Sequence, residues 1–183
     1  MKLRNLTNIT CGLIVVTGFS LFSCEKNVSK KPRAEANLSA TKADTAVHGS
    51  LKFFEENDGR VTMKLDITVP KKANSSVAVH IHEHGMCGKA GADAHGHWNP
   101  TGKPHGKWGN AEFHAGDIGN ITLDAKGKGK LSLTTKLWSI SGSDVTNIIG
   151  KGVIVHSGVD DYTSQPAGNS GSRIGCASID LKQ

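Results

Sequence analysis

The chain has 183 residues, with 22 basic and 16 acidic side chains and a formal charge of +6. That excess is mild and dispersed, with no basic stripe interleaved with aromatics, which argues against a nucleic-acid partner. The length allows one core-bearing domain plus flanking segments.

The chain opens as a targeting segment. Lys2 and Arg4 precede Ile9 to Phe22, an apolar run too short to span a bilayer comfortably. It ends in Leu21-Phe22-Ser23-Cys24, which resembles a bacterial lipobox. Such a signal implies cleavage before Cys24 and a diacylglycerol on its thiol; the alternative is an ordinary secretory signal with an incidental cysteine. Cleavage there would remove Lys2 and Arg4 and no acid, leaving 20 basic against 16 acidic side chains and a charge of +4. Residues 25–45 are polar, rich in Lys, Ala, Ser and Asn, and read as a flexible tether. The expected organisation is a signal peptide over 1–23, a lipidated cysteine with its tether over 24–45, and a folded domain over 46–183. The protein is expected to be exported to the cell envelope and held on a membrane by its lipid.

The domain reads as all-β. Val47 to Phe54 and Val61 to Val69 flank Asn57-Asp58-Gly59, a hairpin in which Asp-Gly supplies positive φ. Val61, Met63, Leu65, Ile67 and Val69 alternate with polar residues, the period of a half-buried strand. Val77, Val79 and Ile81 alternate with Ala78, His80 and His82. Ile121 to Leu123 and Leu131 to Leu133 flank a Lys-Gly-Lys-Gly-Lys turn. Val153 to Val155 and Ile174 to Leu181 complete the strand candidates. No long stretch has helical periodicity.

Two irregular segments, 85–117 and 157–172, are rich in Gly, Asn, Ser or His. Long irregular loops in a compact domain are functional or disordered. Seven of the nine histidines lie between positions 80 and 114. His80 and His82, two apart on a strand, project from one face, which makes half of a metal site. His97, His105, His114 and Asp117 offer three imidazoles and a carboxylate, a plausible tetrahedral zinc set. Of the cysteines, Cys11 leaves with the signal and Cys24 takes the lipid. Cys87 and Cys176 remain, either as a disulfide in an oxidising setting or as metal ligands.

These runs together resemble the copper/zinc superoxide dismutase family. The resemblance is carried by His80-Ile81-His82-Glu83, His97-Trp98-Asn99-Pro100, His105-Gly106, His114 through Asn120, Val155-His156, and Gly168 through Cys176. It covers about residues 46–181, in the family's order and with its zinc-loop spacing. It implies an eight-stranded Greek-key β-sandwich or flattened barrel with long metal-binding and channel loops; the family is an established example of that architecture. It implies copper ligands His80, His82, His97 and His156, and zinc ligands His97, His105, His114 and Asp117, with His97 bridging. It makes Cys87–Cys176 a disulfide that anchors the metal loop, and Asp160 a carboxylate linking a copper histidine to a zinc histidine. Arg173 becomes the anion-attracting residue beside the copper.

The activity so implied is conversion of superoxide to oxygen and hydrogen peroxide by one-electron cycling of copper. Arg173 and His97 would be the catalytic residues. Family members include monomers and homodimers, and either state is expected here. Two departures stand out. The loop from Asp160 to Arg173 is short and sparse in steering charges, with Ala167 where many members carry threonine. His84 and His95 fall outside the matched ligand set; they are expected to face solvent, an accessory metal role being the alternative.

Overall fold

The computed structural model describes residues 33–182. Cys11 and Cys24, and with them the signal and lipid-anchor readings, lie outside the described residues.

Among the described residues nine strands form: β1 Ala34–Ala40, β2 His48–Glu55, β3 Val61–Thr68, β4 Ser76–His82, β5 Gly119–Thr122, β6 Lys128–Thr135, β7 Gly152–His156, β8 Arg173–Ser178 and a two-residue β9, Asp180–Leu181. Hydrogen-bonded neighbours run β5-β4-β7-β8-β1-β2-β3-β6, with β9 beside β1. All pairings are antiparallel. The eight strands of the path curl into a nearly closed barrel. The chain crosses from β3 to β4, β5 to β6 and β6 to β7, which gives the expected Greek-key connectivity.

One boundary moves. The polar tether was expected to run through residue 45, yet residues 34–40 form β1, a central strand between β8 and β2. Ala34, Ala36 and Leu38 point into the core and are buried, while Asn37 and Ser39 face out. Ala34 pairs with Phe53 and Ala36 with Leu51, so small residues sit beside large ones across the ladder. The alternation is real but weak: two alanines and one leucine hardly register in a composition dominated by polar residues.

The β2–β3 hairpin forms as expected, by a slightly different route. Gly59 N–H donates to Glu56 O (3.1 Å) and Glu56 N–H to Arg60 O (2.8 Å). Gly59 takes a positive φ of 78°, and neither Asn57 nor Asp58 does. This is the three-residue loop with a terminal left-handed glycine.

The core gathers the inward residues of all the main strands, including Leu51, Phe53, Met63, Ile67, Val79, Ile81, Val153 and Val155. Burial of this kind contributes about 25 cal/mol per Å² of apolar surface. Trp138 is 1% exposed and meets Phe53 edge-on at 6.1 Å between ring centroids. Its indole Nε1–H donates to Ala115 O (2.8 Å), which pins the end of the β4–β5 connection to the barrel. On β4 the outward residues Ala78, His80 and His82 are as buried as the inward ones, because that connection folds back over them. Ile81 N–H donates to Gly116 O (2.8 Å) and Trp98 N–H to Ile81 O (2.9 Å).

Candidate metal centre

Strand periodicity sets the first two donors. His80 and His82 leave β4 on the same side, the side away from the apolar core. The connection after β4 returns His97 against His82 as an isolated antiparallel bridge. A register shift between Val155 and His156 lets β7 end with His156 opposite Arg173. Bulges of this type re-aim a side chain next to a functional site.

Two sets of ligating side chains result, with His97 in both. His80, His82, His97 and His156 form one; His97, His105, His114 and Asp117 form the other; within each set the ligand atoms lie within 4.8 Å of one another. All are buried, from 0% exposure for His80 and Asp117 to 6% for His97 and His114.

Among the described residues, six buried imidazole nitrogens have no hydrogen-bond partner: His80 Nδ1, His82 Nε2, His97 Nε2, His105 Nδ1, His114 Nδ1 and His156 Nε2. Leaving such groups unpaired is costly. The other nitrogen is tied in each case where a partner is in reach. His80 Nε2–H donates to Asp160 Oδ2 (2.9 Å), His105 Nε2–H to Asp160 Oδ1 (2.9 Å), and His82 Nδ1–H to His95 O (2.9 Å). His97 Nδ1 lies 2.8 Å from Asp117 Oδ1, the oxygen that His114 Nδ1 also approaches, so the ring meets Asp117 through Nδ1 and leaves Nε2 unpartnered; His156 Nδ1 lies a long 3.4 Å from Gly171 O. A partner on one ring nitrogen fixes the tautomer and leaves the other as a lone-pair donor. The free atoms thus fit metal ions. His105 Nδ1 lies 2.9 Å from Asp117 Oδ2, and His114 Nδ1 lies 3.2 Å from Asp117 Oδ1, without the alignment of a hydrogen bond. This is convergence of donors on one point. Three imidazoles and a carboxylate suit zinc, and four imidazoles suit copper.

The electrostatics agree. Burial and the neighbouring His97 push His82 down to about 2. Burial, against the pull of Asp117, pushes His97 down to about 4, and burial with His80 pushes His156 down to about 3. These rings are neutral at neutral pH, as metal ligands must be. Burial would raise Asp117, but the imidazoles of His105, His114 and His97 hold it well below the usual carboxylate range. Backbone N–H groups of His114 (2.8 Å) and Gly106 (3.1 Å) also donate to its Oδ2. Asp160 is likewise held low by His105 and His80, against its burial. Burial opposes protonation of His105, yet Asp117 and Asp160 together raise it to about 9.

Asp160 is itself fastened. Its N–H donates to Asn120 Oδ1 (2.8 Å), Asn120 Nδ2–H donates to Asp160 O (2.9 Å), and Tyr162 N–H donates to Asp160 Oδ1 (2.7 Å). Gln165 grips the backbone of His105 at both its N–H and its carbonyl, each at 2.9 Å. A side chain at Gly168 would place Cβ 1.9 Å from Asp160 Oδ1, so only glycine lets the channel loop lie on that carboxylate. The sequence reading assigned no role to Asn120, Tyr162, Gln165 or Trp138.

Arg173 opens β8. Its guanidinium donates to Gly91 O (2.6 Å) and to His95 O, and Thr41 Oγ1–H donates to its carbonyl (2.8 Å). With His82, Glu83, His97, His156 and Ala167 it lines a cavity of about 300 Å³. A larger hollow of about 600 Å³ on β2, β3 and β6 borders none of the clustered ligands and carries no comparable donor set. Cys87 and Cys176 are joined, with Cα atoms 5.7 Å apart, which fastens the connection after β4 to β8. The metal-ligand alternative for these two cysteines is thereby removed.

The family model for copper/zinc superoxide dismutase (SODC) matches residues 47–179. Superoxide dismutase (Cu-Zn) 2 of Aquifex aeolicus is 36% identical over 165 residues, 87% of this chain and 94% of its own length. The extracellular superoxide dismutase (Cu-Zn) of Caenorhabditis elegans is 33% identical over 174 residues, 90% of this chain and 76% of its own. Among solved structures, the crystal structure of the clock protein EA4 matches with a TM-score of 0.72 at 29% identity, covering 86% of this chain and 99% of that one. The chain belongs to the copper/zinc superoxide dismutase family, enzymes that act on superoxide with copper and zinc as cofactors.

Proposed function

We propose that this enzyme dismutates superoxide at a copper held by His80, His82, His97 and His156, beside a zinc held by His97, His105, His114 and Asp117. The observation that carries the assignment is the set of six unpartnered buried imidazole nitrogens, converging in two groups that share His97. When bound, the copper supplies a one-electron couple, and the zinc, which has no accessible redox change, supplies fixed charge.

The remaining work falls to the protein. Arg173 draws the anion into the cavity it shares with His82 and His156 and orients it by its fixed fork of donors. The fork is itself held, because Gly91 O and His95 O take two of its N–H groups. Focusing of charge in such clefts speeds anion capture, an effect for which this family is an established example. His97 is the proton carrier: Nε2 would take a proton from solvent in the reduced half of the cycle and give it to the peroxide product, water supplying the second proton of hydrogen peroxide. Its Nδ1 side stays anchored at the zinc set, so the ring returns to the same place each turn. Asp160 holds His80 and His105 by their Nε2 atoms and so fixes the distance between the two ligand sets. Partners of that kind are worth about 10–100-fold in metal affinity or activity.

The chain is exported, cut before Cys24 and lipidated there. The lipobox-like run and the Cys87–Cys176 disulfide support an oxidising compartment outside the cytoplasm. Metal content and superoxide consumption of the purified protein, measured beside His156→Ala and Arg173→Ala, test the site. A wild type that fills with both metals and leaves superoxide untouched overturns it. Mass spectrometry of the mature N-terminus tests the anchor; a start elsewhere, or a bare Cys24 thiol, overturns that.

A further inference from the structure

Outside the two buried sets, a third group of ligating side chains stands at the surface. Glu83, His84 and His95 bring one ligand atom each to within 4.8 Å of the others, and all three residues are exposed. The His84 and His95 rings meet at right angles, 4.7 Å between centroids. Glu83 Oε2 lies 3.8 Å from His95 Nδ1, too far for a hydrogen bond, so the carboxylate is not consumed by the imidazole.

The group is held by backbone. Glu83 N–H donates to Gly96 O (3.1 Å) and His84 N–H to Ala94 O (3.3 Å), so the segment after β4 is laced to the segment that carries His95. The Cys87–Cys176 disulfide fastens the loop between them to β8. His95 itself has φ 61° and ψ −143°, a region that glycine occupies easily and a histidine does not. Keeping an imidazole there, with its ring toward a second imidazole and a carboxylate, needs a reason that packing does not supply, since the side chain is 58% exposed.

We propose that Glu83, His84 and His95 form a third metal site, for a divalent transition ion of the zinc, nickel or copper type. Two imidazoles and one carboxylate suit those ions and disfavour calcium and magnesium, which want oxygen. Water completes the coordination, since the face is open. The site abuts the catalytic cavity. Glu83 lines that cavity with Arg173, and the carbonyl of His95 accepts from both His82 Nδ1 and Arg173. An ion there would neutralise Glu83 and add positive charge at the mouth of the anion path, where the channel loop itself has few basic residues. The site rests on its own geometry and does not depend on the copper and zinc assignments.

The test uses the full protein loaded with copper and zinc, then titrated with Ni(II), with all three metals counted after gel filtration. One Ni(II) per chain is expected in the wild type. His84→Ala and His95→Gly should each abolish it, and Glu83→Gln should weaken it tenfold or more. Glycine suits the backbone at position 95 and keeps the carbonyl that His82 and Arg173 use. A wild type that retains no Ni(II), or a Ni(II) equivalent that survives in both histidine variants, overturns the site. Copper and zinc contents of the same samples report separately on the two buried sets, so failure of one reading is not mistaken for failure of the other.

Discussion

The barrel has two halves of different character. In β1, β2, β3 and β6 the outward residues reach solvent: β3 alternates cleanly, with Val61, Met63, Leu65 and Ile67 inside and Lys64 and Asp66 exposed. In β4 and β7 no such alternation survives. Six of the seven β4 residues and all five of β7 are buried. The difference lies in what covers the outer face. Short turns leave the first half bare. The second half is roofed by the segments 83–118 and 157–172, and beneath that roof the histidines His80, His82 and His156 share the outward face with the apolar Ala78 and Ile154. A strand half whose outer face is buried and polar is stable only if the polar atoms find partners. Here two aspartates and backbone carbonyls take part of the set, and the nitrogens left over are those proposed to hold the metals.

The largest test of this division removes what joins the halves. β1 lies between β8 of the roofed half and β2 of the bare half. A chain beginning at residue 46 would leave both neighbours with open edges and remove Ala34, Ala36 and Leu38 from the core. It is expected to show no cooperative thermal transition by circular dichroism, whereas a chain beginning at residue 33 melts cooperatively. A cooperative melt from residue 46, near that of the longer chain, would return β1 to the status of a tether.

Next in size is the disulfide. It spans 89 residues and ties the roof to β8. The chain-entropy account gives roughly 4–5 kcal/mol for a loop of that length. The double variant Cys87→Ser/Cys176→Ser should lose stability of that order in urea. It should also lose copper more readily than zinc, because His82 and Arg173 both lean on the carbonyl of His95 within the tethered loop. Equal retention of both metals would mean that the roof does not need its bolt.

The metal-free protein sharpens the comparison through pH. Folding holds His82, His97 and His156 near 2, 4 and 3, against an ordinary value of 6.5. Below pH 6.5 the unfolded chain takes up these protons and the folded chain does not. The unfolded state then binds more protons, so stability falls as pH falls. Each ring contributes about 1 kcal/mol between pH 7 and 5.5, or roughly 3 kcal/mol together. Urea midpoints of the chelator-treated protein should fall over that window. A flat profile would show that the roofed face opens to water once the metals leave. His105, raised to about 9, acts the other way: its contribution is complete below pH 6.5 and fades as pH rises through 9.

What the sequence made legible follows the same division. In the bare half, period two alone yields β2 and β3, because one face meets water and the other does not. In the roofed half, alternation finds β4 and β7 only by their inner residues. The outer ones declare themselves by chemical type, since buried histidines at strand spacing have few uses besides metal. Two kinds of feature stayed hidden. β1 is built from Ala34, Ala36 and Leu38, whose apolar signal is faint until Phe53 and Leu51 stand opposite. Asn120, Tyr162, Gln165 and Trp138 act on partners 2 to 60 residues away, and in all but the Tyr162 N–H bond to Asp160 the pairing is set by loop geometry, not by any spacing in the chain.

The smallest expected effect is on the bare half, and it is informative because it should be nearly nothing. Lys64 stands on the outer face of β3, its ammonium 5.2 Å from the centroid of the Phe54 ring and its backbone opposite Lys52. Lys64→Ala loses an exposed cation–π contact worth about 0.5–1 kcal/mol. It also relieves two like charges directly across a ladder, a repulsion of similar size. The two changes offset, and the net change in urea stability is expected within about 0.5 kcal/mol of zero. His82→Ala, at the corresponding outward position of β4, should by contrast cost copper binding outright and free the His95 carbonyl that His82 engages. Comparable losses from the two substitutions would erase the distinction between the halves, because it would mean that the face of β3 carries as much structure under open water as β4 does under its roof.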